Sequence, residues 1–150
     1  MNLNEPFSDR IDGVISLSVQ LPCSNESEHL FKKNRERQKL VIKQGAACDI
    51  MGLDSKTELE GDVAKLYTLL IRLFNLECDV LCSQIKDLDV HVLGELIEKS
   101  FYQLNELSDF RTFKFRITIS FEYFNLKLDE LLILYNGVNP DKKIECLVDL

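Results

Sequence analysis

The stretch from Phe110 to Tyr135, FRTFKFRITISFEYFNLKLDELLILY, is the most aromatic and apolar part of the chain, and it is patterned at two periods at once. At period 2, Phe113, Phe115, Ile117, Ile119, Phe121 and Tyr123 alternate with Lys114, Arg116, Thr118, Ser120 and Glu122, as in a half-buried strand. At helical spacing, Phe110, Phe113, Ile117, Phe121, Phe124, Leu128 and Leu131 form a stripe flanked by Arg111, Lys114, Glu122 and Asp129. Beyond Tyr123 the alternation stops and the leucines favour helix. No Gly or Pro lies between Asp109 and Asn136 to convert one element into the other, and Asn136-Gly137 with Pro140 beyond makes a helix stop. One helix over 110–135 is the expectation, with strands near 13–21 and 113–123 in an α+β domain as the alternative.

Two further helices precede it. Ser55-Lys56-Thr57-Glu58 is a capping box, and from there Leu59, Val63, Leu66, Leu70, Phe74, Cys78, Leu81 and Ile85 recur at three- and four-residue steps. Leu69, Leu73 and Val80 widen this stripe, so a helix over 56–85 is expected to touch more than one neighbour. Asp87-Leu88-Asp89 supplies a break and a new N-cap. The next helix buries Val92, Leu93, Leu96, Ile97, Phe101, Leu104 and Leu107, and Ser108-Asp109 turns into the third. The expected fold is all-α: an antiparallel three-helix bundle over 55–137 with short connections. Residues 1–54 form a loosely ordered extension and 138–150 a tail packed through Ile144, Leu147 and Val148.

Within the extension, GVISLSVQL (13–21) alternates like a strand ended by Pro22. The basic run Lys32, Lys33, Arg35, Arg37 and Lys39 reads as a solvated helix or loop face, with a nuclear-import or acidic-partner patch as the sharper reading. Gly45 to Gly52 reads as a loop.

Net charge excludes one large class of function. A chain with 25 acidic and 18 basic residues, net −7, lacks the dominant cationic face that phosphate-backbone binding needs, so no nucleic acid is expected. No run of apolar residues is long enough for a membrane span, and the acidic N-terminus is unlike a signal peptide. The cytoplasm or the nucleus is the expected compartment. Five scattered cysteines, an odd number, make a poor disulfide framework. Cys78 and Cys82 share a helix face, but His29 and His91 are the only histidines, so these cysteines read as small core residues and no metal or other cofactor is expected. Glycine-rich phosphate loops, HExxH motifs and nucleophile elbows are absent from the sequence, and catalysis is not expected.

Over residues 66–131 the helices resemble the BAG domain, a three-helix co-chaperone module. The resemblance is carried in helix two by Leu93-Gly94-Glu95-Leu96-Ile97-Glu98-Lys99, Phe101-Tyr102 and Leu104-Asn105-Glu106-Leu107. In helix three it is carried by Arg111, Lys114-Phe115, Thr118, Phe121-Glu122, Phe124-Asn125 and Leu128-Asp129. Ile71, Phe74, Cys78 and Leu81 fall at the family's apolar positions in helix one, with Asp87 following. This resemblance implies binding to the nucleotide-binding domain of a heat-shock 70 chaperone and faster ADP release. The implied contact residues are Glu95, Asn105, Arg111, Lys114, Glu122 and Asp129. Three positions depart from the family pattern: Asn105 replaces an aspartate, Lys114 an arginine and Glu122 a glutamine. The alternative function is a non-exchanging adaptor or assembly subunit that joins another helical protein through surplus apolar residues: Leu69, Leu73, Val80, Tyr102, Phe115, Ile119 and Tyr123.

Overall fold

Ser120 is where the ambiguous stretch changes from one period to the other. A computed structural model describes residues 25–52, 61–108 and 115–147. In it the described part of the stretch carries strand β2 (Arg116–Ile119), and Ser120 then caps a helix over Phe121–Val138. The Ser120 backbone is extended, and its Oγ accepts from Tyr123 N at 3.2 Å while donating to Ala46 O at 2.7 Å. A serine hydroxyl thus achieves the strand-to-helix conversion for which sequence reasoning sought Gly or Pro. The single helix over 110–135 is corrected accordingly: the period-2 signal holds across 116–119, where Ile117 and Ile119 are buried and Arg116 is exposed. Residues 109–114, including Asp109, Arg111, Phe113 and Lys114, lie outside the described part.

The chain runs α1 (Asn25–Lys43), β1 (Cys48–Met51), α2 (Gly61–Cys82), α3 (Val90–Leu107), β2, α4 (Phe121–Val138) and a 3-10 turn (Pro140–Lys142). The protein is a mostly helical bundle with a small ribbon laid on it. β1 and β2 pair antiparallel, with Cys48 opposite Ile119 and Met51 opposite Arg116. The strand alternative therefore named one strand correctly; the partner seen is β1, and the other expected strand, 13–21, lies outside the described part. The expected loop at Gly45–Gly52 contains β1.

Helix α1 is integral to the bundle rather than an extension beyond it. It packs chiefly against α4, while α3 contacts both α2 and α4. Gly45 ends α1 at φ +73°; its N–H reaches Ile42 O and the Ala46 N–H reaches Val41 O. That paired closure needs a left-handed residue, for which glycine carries no Cβ penalty. The Tyr67 hydroxyl fixes the same corner to α2, donating to Ile42 O at 3.0 Å and accepting from Ala47 N at 3.2 Å.

Asp89 caps α3 as expected, accepting from His91 N at 2.8 Å. Ser108 terminates α3 instead of opening the next helix: its N–H bonds Leu104 O, and its Oγ donates to Asn105 O and Ile117 O. Asn136-Gly137 does not stop α4, which continues to Val138 with Gly137 buried. Asn136 instead holds the tail, exchanging two bonds of 2.8 and 2.9 Å with the Ile144 backbone. Ile144 and Leu147 pack against the core as expected; Val148 lies outside the described part, as does the Ser55–Glu58 capping box.

Aromatic rings fill the centre. Phe101 stacks on Phe124 with centroids 4.5 Å apart, and Phe74 stands 6.3 Å from both Phe101 and Tyr123. Burial of such rings supplies much of the driving force that holds helices from distant parts of the chain together.

Candidate functional site

Of the six residues expected to form a contact surface, four lie in the described part, two on α3 and two on α4. Glu95 and Asn105 lie on α3, ten residues apart, or about 15 Å along the helix. Glu95 is exposed. Asn105 is half-buried and turned to the protein itself: Oδ1 accepts from Ile119 N at 2.7 Å and Nδ2 donates to Ile119 O at 3.4 Å. Glu122 is exposed at the start of α4 and pairs with Arg37 of α1 at 3.2 Å. Asp129 is exposed later on α4, with partial desolvation raising its carboxyl above the usual range. Arg111 and Lys114 lie outside the described part.

A different set of polar residues is brought together, inside the bundle. From α1 come Asn34, Arg35 and Gln38, from α2 Asp79, and from α4 Lys127 and Glu130, all buried. Glu130 is the hub. It accepts from Arg35, from Gln38 Nε2 at 2.5 Å and from Lys127 Nζ at 2.8 Å. Arg35 reaches Asp79 at 3.4 Å, Gln38 joins Asn34 at 2.6 Å, and Asn34 donates to Leu126 O at 3.0 Å. Within the basic run, then, Lys32, Lys33, Arg37 and Lys39 are exposed as the solvated-face reading expects, and Arg35 is the exception. Sequence reasoning missed the cluster because Asn34, Arg35 and Gln38 look like a wet helix face. The available signal was their spacing, in step with Phe31, Val41 and Ile42.

The electrostatics of this cluster hold protons still. Burial alone would raise the Glu130 carboxyl, but Lys127 and Arg35 beside it keep it below the usual range. Burial alone would lower the Lys127 ammonium, but Glu130 raises it instead. Asp79 is raised, desolvation outweighing the attraction of Lys127 and Arg35, and its Oδ2 finds no hydrogen-bond partner among the described residues. Cys78 and Cys82 lie alongside as buried free thiols, the latter pushed up to about 12 by burial and by Glu130. Catalytic groups are tuned toward exchanging protons near working pH, whereas Glu130 and Lys127 are each driven further into their charged forms. The arrangement ties α1, α2 and α4 into one register.

Helix α2 carries the feature that faces outward. Its inner face buries Tyr67, Leu70, Ile71, Phe74, Cys78 and Cys82. On the opposite face Leu69, Leu73, Leu76 and Val80 are 53%, 40%, 40% and 59% exposed. Steps of four, three and four put these residues on one stripe, the spacing of a coiled-coil seam. A cleft of about 420 Å³ runs beside the stripe, lined by Leu76, Glu77, Val80 and Leu81 of α2 and by Leu96, Lys99, Ser100 and Gln103 of α3. Of the surplus apolar residues expected to be free for a partner, Leu69, Leu73, Val80 and Tyr102 are exposed; Ile119 and Tyr123 are in the core, and Phe115 is half-buried. Leu76 is the member that sequence reasoning passed over.

Among the described residues, no group of three or more His, Cys, Asp or Glu side chains is placed to hold a metal ion. Among those residues too, no helix is long and apolar enough to cross a membrane.

Residues 24–138 match the SNIPE associated domain. No curated protein and no solved structure matches the chain. The matched span opens one residue before α1 and closes with the last residue of α4, so it takes in all four described helices and the ribbon. This overturns the BAG resemblance, whose apolar spacings are those that helices in many bundles share. The expectation of a heat-shock chaperone partner rested on that resemblance and loses that support. The chain belongs to the SNIPE associated domain family.

Proposed function

We propose that this domain is a non-catalytic assembly module that takes another helix along the α2 stripe and the α2/α3 cleft. One observation carries the reading: Leu69, Leu73, Leu76 and Val80 stand exposed at seam spacing on a helix whose other face is fully packed. Single exposed leucines are ordinary, but an aligned row beside a cleft is the surface on which amphipathic helices dock. The buried ionic cluster supports it from behind. Arg35 of that cluster reaches α2 at Asp79, and Tyr67, Ile71, Phe74 and Cys78 are buried on its inner face, so the outer face is a preformed platform that loses little entropy on binding.

The test is fluorescence anisotropy of a labelled helical peptide bearing leucines at heptad a and d positions, titrated with the domain at dilute concentration. Saturable binding is expected, and Leu73→Glu should abolish it while leaving far-UV circular dichroism and Tm unchanged. Equal binding by the Leu73→Glu protein would refute the reading.

A further inference from the structure

Resting on that reading, we infer that the helix docking on α2 is α2 of a second copy of this chain, aligned parallel to the first. The assignment comes from the charges that flank the stripe. Taking Leu73 and Val80 as a positions and Leu69 and Leu76 as d positions, Arg72 falls at g and Glu77 at e. In a parallel pair each g residue lies beside the e residue five positions later in the other helix. Arg72 of one copy therefore meets Glu77 of the second copy, and two-fold symmetry makes the contact twice. Neither side chain makes an ion pair among the described residues, so both are available for it.

The antiparallel arrangement gives these charges nothing. There g faces g and e faces e, which sets Arg72 toward Asp79 of the other copy and Glu77 toward Leu70. Both of those residues are buried in their own bundle. At the Val80 layer the residue types agree with the parallel two-stranded choice, since a β-branched residue at a with leucine at d favours two strands; the other a position is Leu73. The stripe from Leu69 to Val80 spans about 16 Å, so the association is short-seamed, reversible and weak.

Sedimentation equilibrium of the full chain tests this, from low to high micromolar, with Arg72→Glu, Glu77→Arg, their equimolar mixture and Leu73→Glu. The wild type is expected to be a reversible dimer and Leu73→Glu a monomer. Each single charge reversal sets like charges together twice and should raise Kd roughly threefold to tenfold. The mixture should restore dimerisation. In the mixed pair the carboxylate introduced at position 72 of one variant meets the guanidinium introduced at position 77 of the other, and the native Arg72 and Glu77 meet at the second contact. A wild-type monomer that still binds the helical probe peptide overturns the second-copy assignment and leaves the docking stripe standing. A dimer indifferent to Leu73→Glu and to both reversals also overturns it. Failure of the stripe itself has a different signature: the wild type is monomeric and binds no probe peptide.

Discussion

Asn105 holds Ile119 at both of its backbone polar groups, accepting from the N–H at 2.7 Å and donating to the carbonyl at 3.4 Å. β2 is the short outer strand of a two-stranded ribbon, and such a pair is marginal without support. The amide side chain of α3 serves as a third rung on the free edge. Asn105→Ala leaves the Ile119 N–H without that partner and should cost about 1–3 kcal/mol. Chemical denaturation with matched m-values checks it. Asn105→Asp retains the acceptor and should cost less than the alanine variant.

Glu130 and Asp79 are both buried carboxylates beside Arg35, yet their substitutions should differ sharply. Glu130→Gln removes the anion that faces both Arg35 and Lys127, leaving two buried cations with Asp79 alone to oppose them, and should cost about 3–5 kcal/mol. Asp79 has one oxygen without a hydrogen-bond partner among the described residues and a raised carboxyl, so Asp79→Asn should stay within about 1 kcal/mol of wild type. Urea unfolding at neutral pH separates the two.

Acid titration should show these carboxylates acting in opposite directions. The Glu130 carboxyl is depressed in the fold, so its contribution is present above the unfolded value and is lost as pH falls through the folded one. Asp79 is raised, so its charge opposes folding above the unfolded value, and protonating it on descent from neutral pH relieves that cost. Stability should hold or rise slightly as pH drops toward the carboxylate range, then fall below it. Asp79→Asn should remove the first phase and Glu130→Gln the second, as read by Tm against pH.

Arg37 and Glu122 form an exposed pair at 3.2 Å, with side chains 58% and 49% exposed. Long surface side chains lose entropy in such pairs, and salt screens what they gain. Arg37→Ala and Glu122→Ala should each change stability by less than about 0.5 kcal/mol. On the proposed reading they should also leave probe-peptide binding unchanged.

These residues show how far the sequence was legible. α2 and α3 were readable because long runs of Leu, Ile and Phe recur at one helical period, and the N-cap at Asp89 followed from its aspartate. α1 was not recognised as part of the bundle, because its buried face carries Asn34, Arg35 and Gln38, whose partners Asp79, Lys127 and Glu130 are distant in sequence. Pairing of β1 with β2 was equally hidden, since the partner strand is four residues long and carries no turn next to β2. The exposed stripe was half visible: Leu69, Leu73 and Val80 stood out as surplus to one face, but only the packed bundle shows that no neighbouring helix among the described residues covers them.

The most direct measurement of the central claim maps the docking face residue by residue. Methyl and amide NMR spectra of the domain, recorded with increasing helical probe peptide, report which side chains meet it. Shifts are expected to concentrate at Leu69, Leu73, Leu76 and Val80, extending to Leu96 and Gln103 across the cleft. Shifts confined to the α1/α4 surface around Arg37 and Glu122, with α2 unperturbed, would contradict docking on α2.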